Sequence, residues 1–226
     1  ETIESAVQGT KNLLELARKN MELESFLFFS SSEIYGDPDP RSVPTPESYH
    51  GYVSSVGPRA CYDESKRLGE TITTVYQQRY NVPATIVRPF NVFGPGMKHN
   101  DRRVVPMFTY EALNGRQLPV HGDGHQTRTS CYITDAIAGF LKTLLKGRPG
   151  EAYNIGNSDN EISMRKLAEM FGELRIGPGQ GLAQHRQGPR GEARLLRGLG
   201  PTVPRADIEA LVAAEDAVAE RPAELL

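Results

Sequence analysis

At 226 residues, 38% of them hydrophobic, with 26 Lys and Arg set against 28 Asp and Glu, the chain has the composition of a globular protein with a substantial core, and its net charge of -2 gives no general pull on nucleic acid. Two cysteines, Cys61 and Cys131, make no disulfide framework and fit a reducing compartment. No apolar run approaches the ~18 residues a membrane helix needs, and the opening ETIESAVQGT lacks a signal-peptide profile, so a cytoplasmic protein is expected, with neither membrane nor nucleic acid as partner.

Ile3, Val7, Leu14 and Ala17 fall along one face and predict a helix over residues 3–20, so the chain reads as joining a fold already under way. FLFFS, 26–30, predicts a buried strand. A polar loop with Pro38, Pro40, Pro44 and Pro46 leads to a second helix over 61–80, and PATIVR, 83–88, predicts another buried strand, ending at the irregular RPFNVFGPG. Central apolar strands alternating with helices predict parallel pairing with helices on both faces, and ligands in such sheets bind at the carboxyl ends of the strands.

Beyond Gly96 the elements shorten. Helix is expected over 103–114, a brief strand at LPV, 118–120, and another strand near 130–133. A helix follows over 134–146 with Thr134 as its cap, then a strand at 152–155 and a helix from Ser163 to Phe171 capped by Ser163. After Arg175 repeated Gly and Pro work against regular structure, until RADIEALVAAEDAVAERPAELL returns to a short amphipathic helix. Residues 1–96 are read as a sheet domain, 97–175 mainly as a smaller lobe with interleaved sheet elements, and 176–226 as an atypical tail.

Within CYDESKRLGE, Tyr62 and Lys66 are spaced to share a helix face. A lysine cation beside a phenol favours phenolate, which makes tyrosine a usable base. The spacing alone fits equally well a packed tyrosine beside a solvated lysine. SSSEIYG, 30–36, directly follows a predicted strand, which puts Ser31, Ser32 and Glu33 at its carboxyl end; alone it also reads as a serine-rich turn. Strand end, helix pair and RPFNVFGPG together point to one site.

In order along the chain, QGTKNLLELARK, SSSEIYG, YDESKR, RPFNVFGPG, RVVPMF, GDGHQTRTSCYITD and YNIGN resemble the extended short-chain dehydrogenase/reductase enzymes that modify nucleotide sugars. The resemblance implies a Rossmann-like α/β fold with a small C-terminal substrate-binding lobe, NAD as cofactor, and a UDP-linked nucleotide-sugar substrate. It further implies that Tyr62 is the base, that Lys66 anchors the nicotinamide ribose, and that Ser31 shares the substrate hydroxyl. Serine and glutamate at Ser32 and Glu33, with GPRACYDESKR, are most similar to the UDP-glucuronate decarboxylase branch; 4,6-dehydratases usually place aspartate and glutamate there, and 4-epimerases need no carboxylate. The expected reaction is UDP-glucuronate to UDP-xylose through a 4-keto intermediate, with epimerisation and dehydration as alternatives. The branch uses a late arginine, for which Arg190 is a loose candidate.

By the same resemblance Asn91, Val104, Val105 and Arg128 lie along the nucleotide sugar, Arg128 pairing with phosphate. Taken singly, Asn91 also reads as a turn residue and Arg128 as a solvated loop arginine. Arg88 is read as a structural strand-end residue and Cys61 as a packing residue. The helices over 3–20 and 61–80 resemble the pair through which family members dimerise, so a homodimer is expected. The five histidines show no metal-ligand spacing, and no metal is expected.

The family begins with a strand and a G-x-x-G-x-x-G turn for the NAD pyrophosphate, and this N-terminal glycine-rich unit is absent before residue 3. Three readings follow: a retained part of a longer enzyme, a cofactor site completed by a second chain, or a non-catalytic relative that binds a nucleotide sugar or a partner.

Overall fold

The computed structural model describes residues 2–98 and 101–173. They fall into two compact units: the residues up to Phe90 together with Ala136–Ile155, and Asn91–Asp135 together with the described residues from Gly156 onward.

The first unit is built on a parallel three-stranded sheet. Strand β1 (Phe26–Phe29) pairs with β2 (Ala84–Pro89), and β2 pairs with β6 (Ala152–Ile155), in the registers Phe26 to Ala84 and Ile86 to Ala152. The central strand carries the continuous apolar run, and Ala84 through Arg88 are buried. FLFFS was expected to be buried as well, but β1 has one neighbour among the described strands and Phe29 is 45% exposed.

Helices α1 (Thr2–Lys19) and α2 (Ala60–Tyr80) pack together, joining Leu14, Ala17, Tyr76, Val82 and Ala84 in one core. The Tyr76 hydroxyl donates to the Glu15 carboxylate. Helix α2 ends at Asn81, whose φ of 55° is the left-handed conformation asparagine tolerates, with its N–H donating to the Gln77 carbonyl at 3.0 Å. Successive strand residues point to opposite faces, and Phe28 and Phe29 show what covers each. Phe28 lies against Gly69 of α2, where an added Cβ would collide with its ring; Phe29 packs edge-on against Phe140, at 4.9 Å between ring centres, from α4 (Ile133–Lys146). The sheet therefore carries helices on both faces, as the strand and helix alternation predicts.

The second unit holds α3 (Val104–Leu113) and α5 (Met164–Glu173), which enclose a core of Phe108, Met164, Leu167 and Phe171. LPV is not a strand: Leu118 and Val120 reach this core from irregular backbone. Two small sheets complete the unit, a parallel pair of β3 (Val92–Phe93) with β5 (Cys131–Tyr132), and an antiparallel pair of β4 (Thr127–Thr129) with β7 (Glu161–Ser163). The cap expected at Thr134 fails, because α4 starts at Ile133 and leaves Thr134 inside the helix. Ser163 does cap α5, its Oγ accepting the Lys166 N–H at 3.1 Å. No described helix is long and apolar enough to cross a membrane. The tail from residue 174, including Arg190 and the segment expected to form a terminal amphipathic helix, lies outside the described residues.

Candidate active site

Strand β1 delivers the serine run to its carboxyl end, where the Ser30 N–H still donates to the Val87 carbonyl at 2.8 Å. Ser31 is buried and extended, and its Oγ accepts the Glu33 N–H at 3.2 Å, which caps a 3-10 turn over Ser32–Tyr35. Ser31, Ser32 and Glu33 are thus set by one short turn.

What holds that turn is a buried polar network whose members come from three motifs. Tyr35 donates to Asn154 Oδ1 at 2.7 Å and accepts from Arg88 Nη1 at 2.8 Å. Arg88 grips Glu70 of α2 with two bonds of 2.9 and 2.7 Å and donates to the Glu47 carbonyl at 2.8 Å. Burial pushes the Tyr35 phenol above its ordinary value, against the opposing pull of the Arg88 hydrogen bond. Arg88 is structural, as its strand-end position suggests. Gly36 closes the turn at a φ of 65°, and an added Cβ there would overlap the Tyr52 carbonyl. Arg67 Nη1 bridges from α2 to the Ile34 and His50 carbonyls at 3.0 and 2.9 Å.

On α2, Tyr62 and Lys66 share a face, with Lys66 Nζ 5.9 Å from the Tyr62 ring centre. The same ammonium sits 5.8 Å from the Phe28 ring centre and donates to the Phe29 carbonyl at 2.8 Å. Burial pulls the Lys66 ammonium below the usual lysine range. A second cation stands over the phenol, Arg59 Cζ lying 5.8 Å from the ring centre, and Arg59 also pairs with Glu33 at 3.3 Å. Sequence reasoning gave Arg59 no role; the only signal was its place in GPRACYDESKR, one turn ahead of the tyrosine.

The first unit therefore brings Tyr62, Lys66 and Glu33 into one constellation beside the end of β1, with Ser31 and Ser32 in the adjoining turn. The nucleotide-site candidates belong to the second unit. Asn91 has a φ of 31°, donates from Nδ2 to the Thr129 carbonyl at 3.0 Å, and accepts the Cys131 N–H on its own carbonyl at 3.3 Å, so its turn reading is also satisfied. Val104 and Val105 open α3 and pack against the Phe108 core. Arg128 lies exposed on β4, with Nη1 donating to the Thr127 carbonyl at 2.8 Å. Among the described residues no three His, Cys, Asp or Glu side chains group to hold a metal.

The first unit also fits the nicotinamide end of a dinucleotide. The Ser30 Oγ is buried at the same strand end and has no hydrogen-bond partner among the described residues. Tyr62 and Lys66 offer a hydroxyl and an ammonium on the adjoining helix, the donor set a ribose needs.

Residues 1–156 match the sequence profile of the NAD dependent epimerase/dehydratase family. The chain belongs to that family. It is 38% identical over 213 residues to UDP-glucuronic acid decarboxylase 1 of Xenopus tropicalis, covering 90% of this chain and 49% of that protein. It is 42% identical over 174 residues to UDP-glucuronic acid decarboxylase 3 of Arabidopsis thaliana, covering 77% of this chain and 49% of that protein. The chain thus spans about half the length of these curated relatives. Among solved structures it resembles dTDP-glucose 4,6-dehydratase from Bacillus anthracis in complex with NAD, with a TM-score of 0.67 and 29% identity, over 79% of this chain and 54% of that one. The Rossmann-like α/β fold is common to these family members, and the family is NAD dependent.

Proposed function

We propose that this family member converts UDP-glucuronate to UDP-xylose with NAD as cofactor. The observation that carries the reading is the glutamate after the serine run, Glu33, held through Arg59 against the helix that presents Tyr62 and Lys66. The decarboxylase names of its relatives support the same branch.

Tyr62 and Lys66 would hold the nicotinamide ribose. When bound, NAD supplies reversible oxidation at carbon 4 of the sugar. Tyr62 takes the proton of the 4-hydroxyl, and the Lys66 cation favours the phenolate that does so. A ketone at carbon 4 is beta to the carboxylate, so it accepts the electron pair released as carbon dioxide leaves. Ser31 and Tyr62 hold the developing charge on the 4-oxygen as hydrogen-bond donors. Glu33 is the carboxylate available to manage the proton at carbon 5. Asn91, Val104, Val105 and Arg128 of the second unit would line the nucleotide sugar, with Arg128 offering a bidentate phosphate contact.

The reading extends to assembly as a homodimer. Leu13 and Leu16 of α1 and Leu68 and Val75 of α2 are exposed apolar residues on paired helices, the surface a second copy would cover.

The test is product analysis by the intact protein supplied with UDP-glucuronate. Formation of UDP-xylose and carbon dioxide is expected; an epimer or a 4-keto-6-deoxy sugar as product would reassign the branch.

A further inference from the structure

We infer that Arg59 is a positioning residue of this site, the tie that holds the Glu33 carboxylate in register with the Tyr62 phenol. The inference rests on the catalytic reading above and adds to it a residue that none of the motif roles includes.

The two groups ride on different elements. Glu33 sits in the 3-10 turn capped by Ser31, and Tyr62 in the first turn of α2. Backbone contacts fix where each element lies, yet they leave the carboxylate free to rotate, because Glu33 is a flexible, half-exposed side chain. Arg59 closes that freedom. It occupies the N-cap position of α2 but makes no side-chain capping bond there, so its side chain is not spent on the helix end. Instead its guanidinium spans the two motifs, 3.3 Å from Glu33 Oε2 and 5.8 Å over the Tyr62 ring. A planar guanidinium can stack on a ring and pair with a carboxylate at the same time through its fixed fork; an ammonium brings charge and rotatable donors but no plane to stack.

The pair is 62% and 39% exposed on its two sides, and pairs so exposed contribute little to stability. That exposure separates the positioning role from a structural one, since removing Arg59 should leave the fold intact while loosening the carboxylate.

The experiment uses the intact protein in four forms: wild type, Arg59→Ala, Glu33→Gln and the double variant, with Arg59→Lys as a fifth. Steady-state kcat and KM with UDP-glucuronate, the dissociation constant for UDP by calorimetry, and the amount of bound NAD are measured for each. Expected is a fall in kcat of about tenfold in Arg59→Ala, with KM, UDP affinity and NAD content within about twofold of wild type. Arg59→Lys should recover part of that loss. In the Glu33→Gln background, removal of Arg59 should cost less than about twofold more, because the carboxylate it positions is already gone. A kcat unchanged in Arg59→Ala, a loss that multiplies with that of Glu33→Gln, or a rise in KM or in the UDP dissociation constant at unchanged kcat would overturn the inference; the last would make Arg59 a substrate-capture residue. If wild type forms no product at all from UDP-glucuronate, the reading of the site falls, and the positioning role falls with it. An active wild type with an indifferent Arg59 removes only the latter.

Discussion

The Lys66 ammonium donates to the carbonyl of Phe29, the last residue of β1, across 2.8 Å, which ties the second helix to the edge of the sheet at the level of the serine run. The tie carries a cost. Burial holds the folded-state pKa of Lys66 below the ordinary lysine value, so the folded protein binds fewer protons than the unfolded chain between the two values. The penalty is complete at neutral pH, where the lysine is charged in both states, and is relieved as pH rises through the lowered value. Lys66→Met should therefore raise the thermal midpoint at pH 7 by about 1–2 °C, the group being only half buried, and the gain should shrink toward pH 10. Turnover should fall at least about a hundredfold. Thermal unfolding of both proteins across that pH range checks the sign; a lower midpoint at pH 7 would mean that the Phe29 hydrogen bond outweighs desolvation.

Arg88 gives the opposite expectation. Its guanidinium is nearly inaccessible and satisfies Glu70, Tyr35 and the Glu47 carbonyl together. Arg88→Ala would leave the Glu70 carboxylate buried without its partner, and should cost about 3–5 kcal/mol in denaturant unfolding. Because Tyr35 anchors the turn that carries Ser31 and Glu33, activity should be lost even in conditions where the variant remains folded. Arg88→Met paired with Glu70→Leu should recover much of the stability, since two apolar groups leave no orphaned charge.

The sequence made the periodic elements legible and the pairings between short polar ones illegible. Helices α1, α2 and α5 and strands β1, β2 and β6 announce themselves by apolar spacing, and the placing of Ser31, Tyr62 and Lys66 follows from where those elements end. Strands β4 and β7 could not be seen, because TRT and EIS are short, largely polar and more than thirty residues apart, so neither alternation nor a turn signal marks their pairing. LPV looked like a strand from its residue types alone, yet Leu118 and Val120 reach the Phe108 core without a ladder. Phe29 was expected to be buried with the rest of FLFFS; it lies on the opposite face from the buried Phe28, where Phe140 leaves it 45% exposed, and residue type does not distinguish the two faces. The Tyr35, Arg88 and Asn154 network was divided among three quoted motifs, each recognised for a different reason, and only the parallel register brings them together.

The two cysteines should differ in reactivity. Cys61 is exposed on the first turn of α2, whereas Cys131 is buried in β5 and its thiol is pushed up to about 11 by burial, with a smaller contribution from the Asp135 carboxylate. At pH 8 only about one Cys131 side chain in a thousand is a thiolate. Brief treatment of the native protein with a maleimide, followed by peptide mapping, should find label on Cys61 and almost none on Cys131. Labelling of Cys131 should appear once denaturant removes its burial. Equal labelling of both in the native state would contradict the packing of β5 against β3.

Tyr62→Phe isolates one oxygen atom. The ring stays where Arg59 and Lys66 flank it, at 5.8 and 5.9 Å, so the variant keeps its packing and both cation contacts. What it loses is the group assigned to take the proton from the sugar hydroxyl. Turnover should drop by about 10²–10⁴-fold, the range for losing a positioned general base, while KM changes by less than about twofold and NAD, deprived of one ribose hydrogen bond, binds more weakly by up to about tenfold. The cofactor reading gives a second signature: the as-isolated wild type should show a transient rise in absorbance near 340 nm on addition of UDP-glucuronate, and the variant should not. Retention of that transient together with loss of product would move Tyr62 from the oxidation to a later step, and unchanged turnover would remove it from the site.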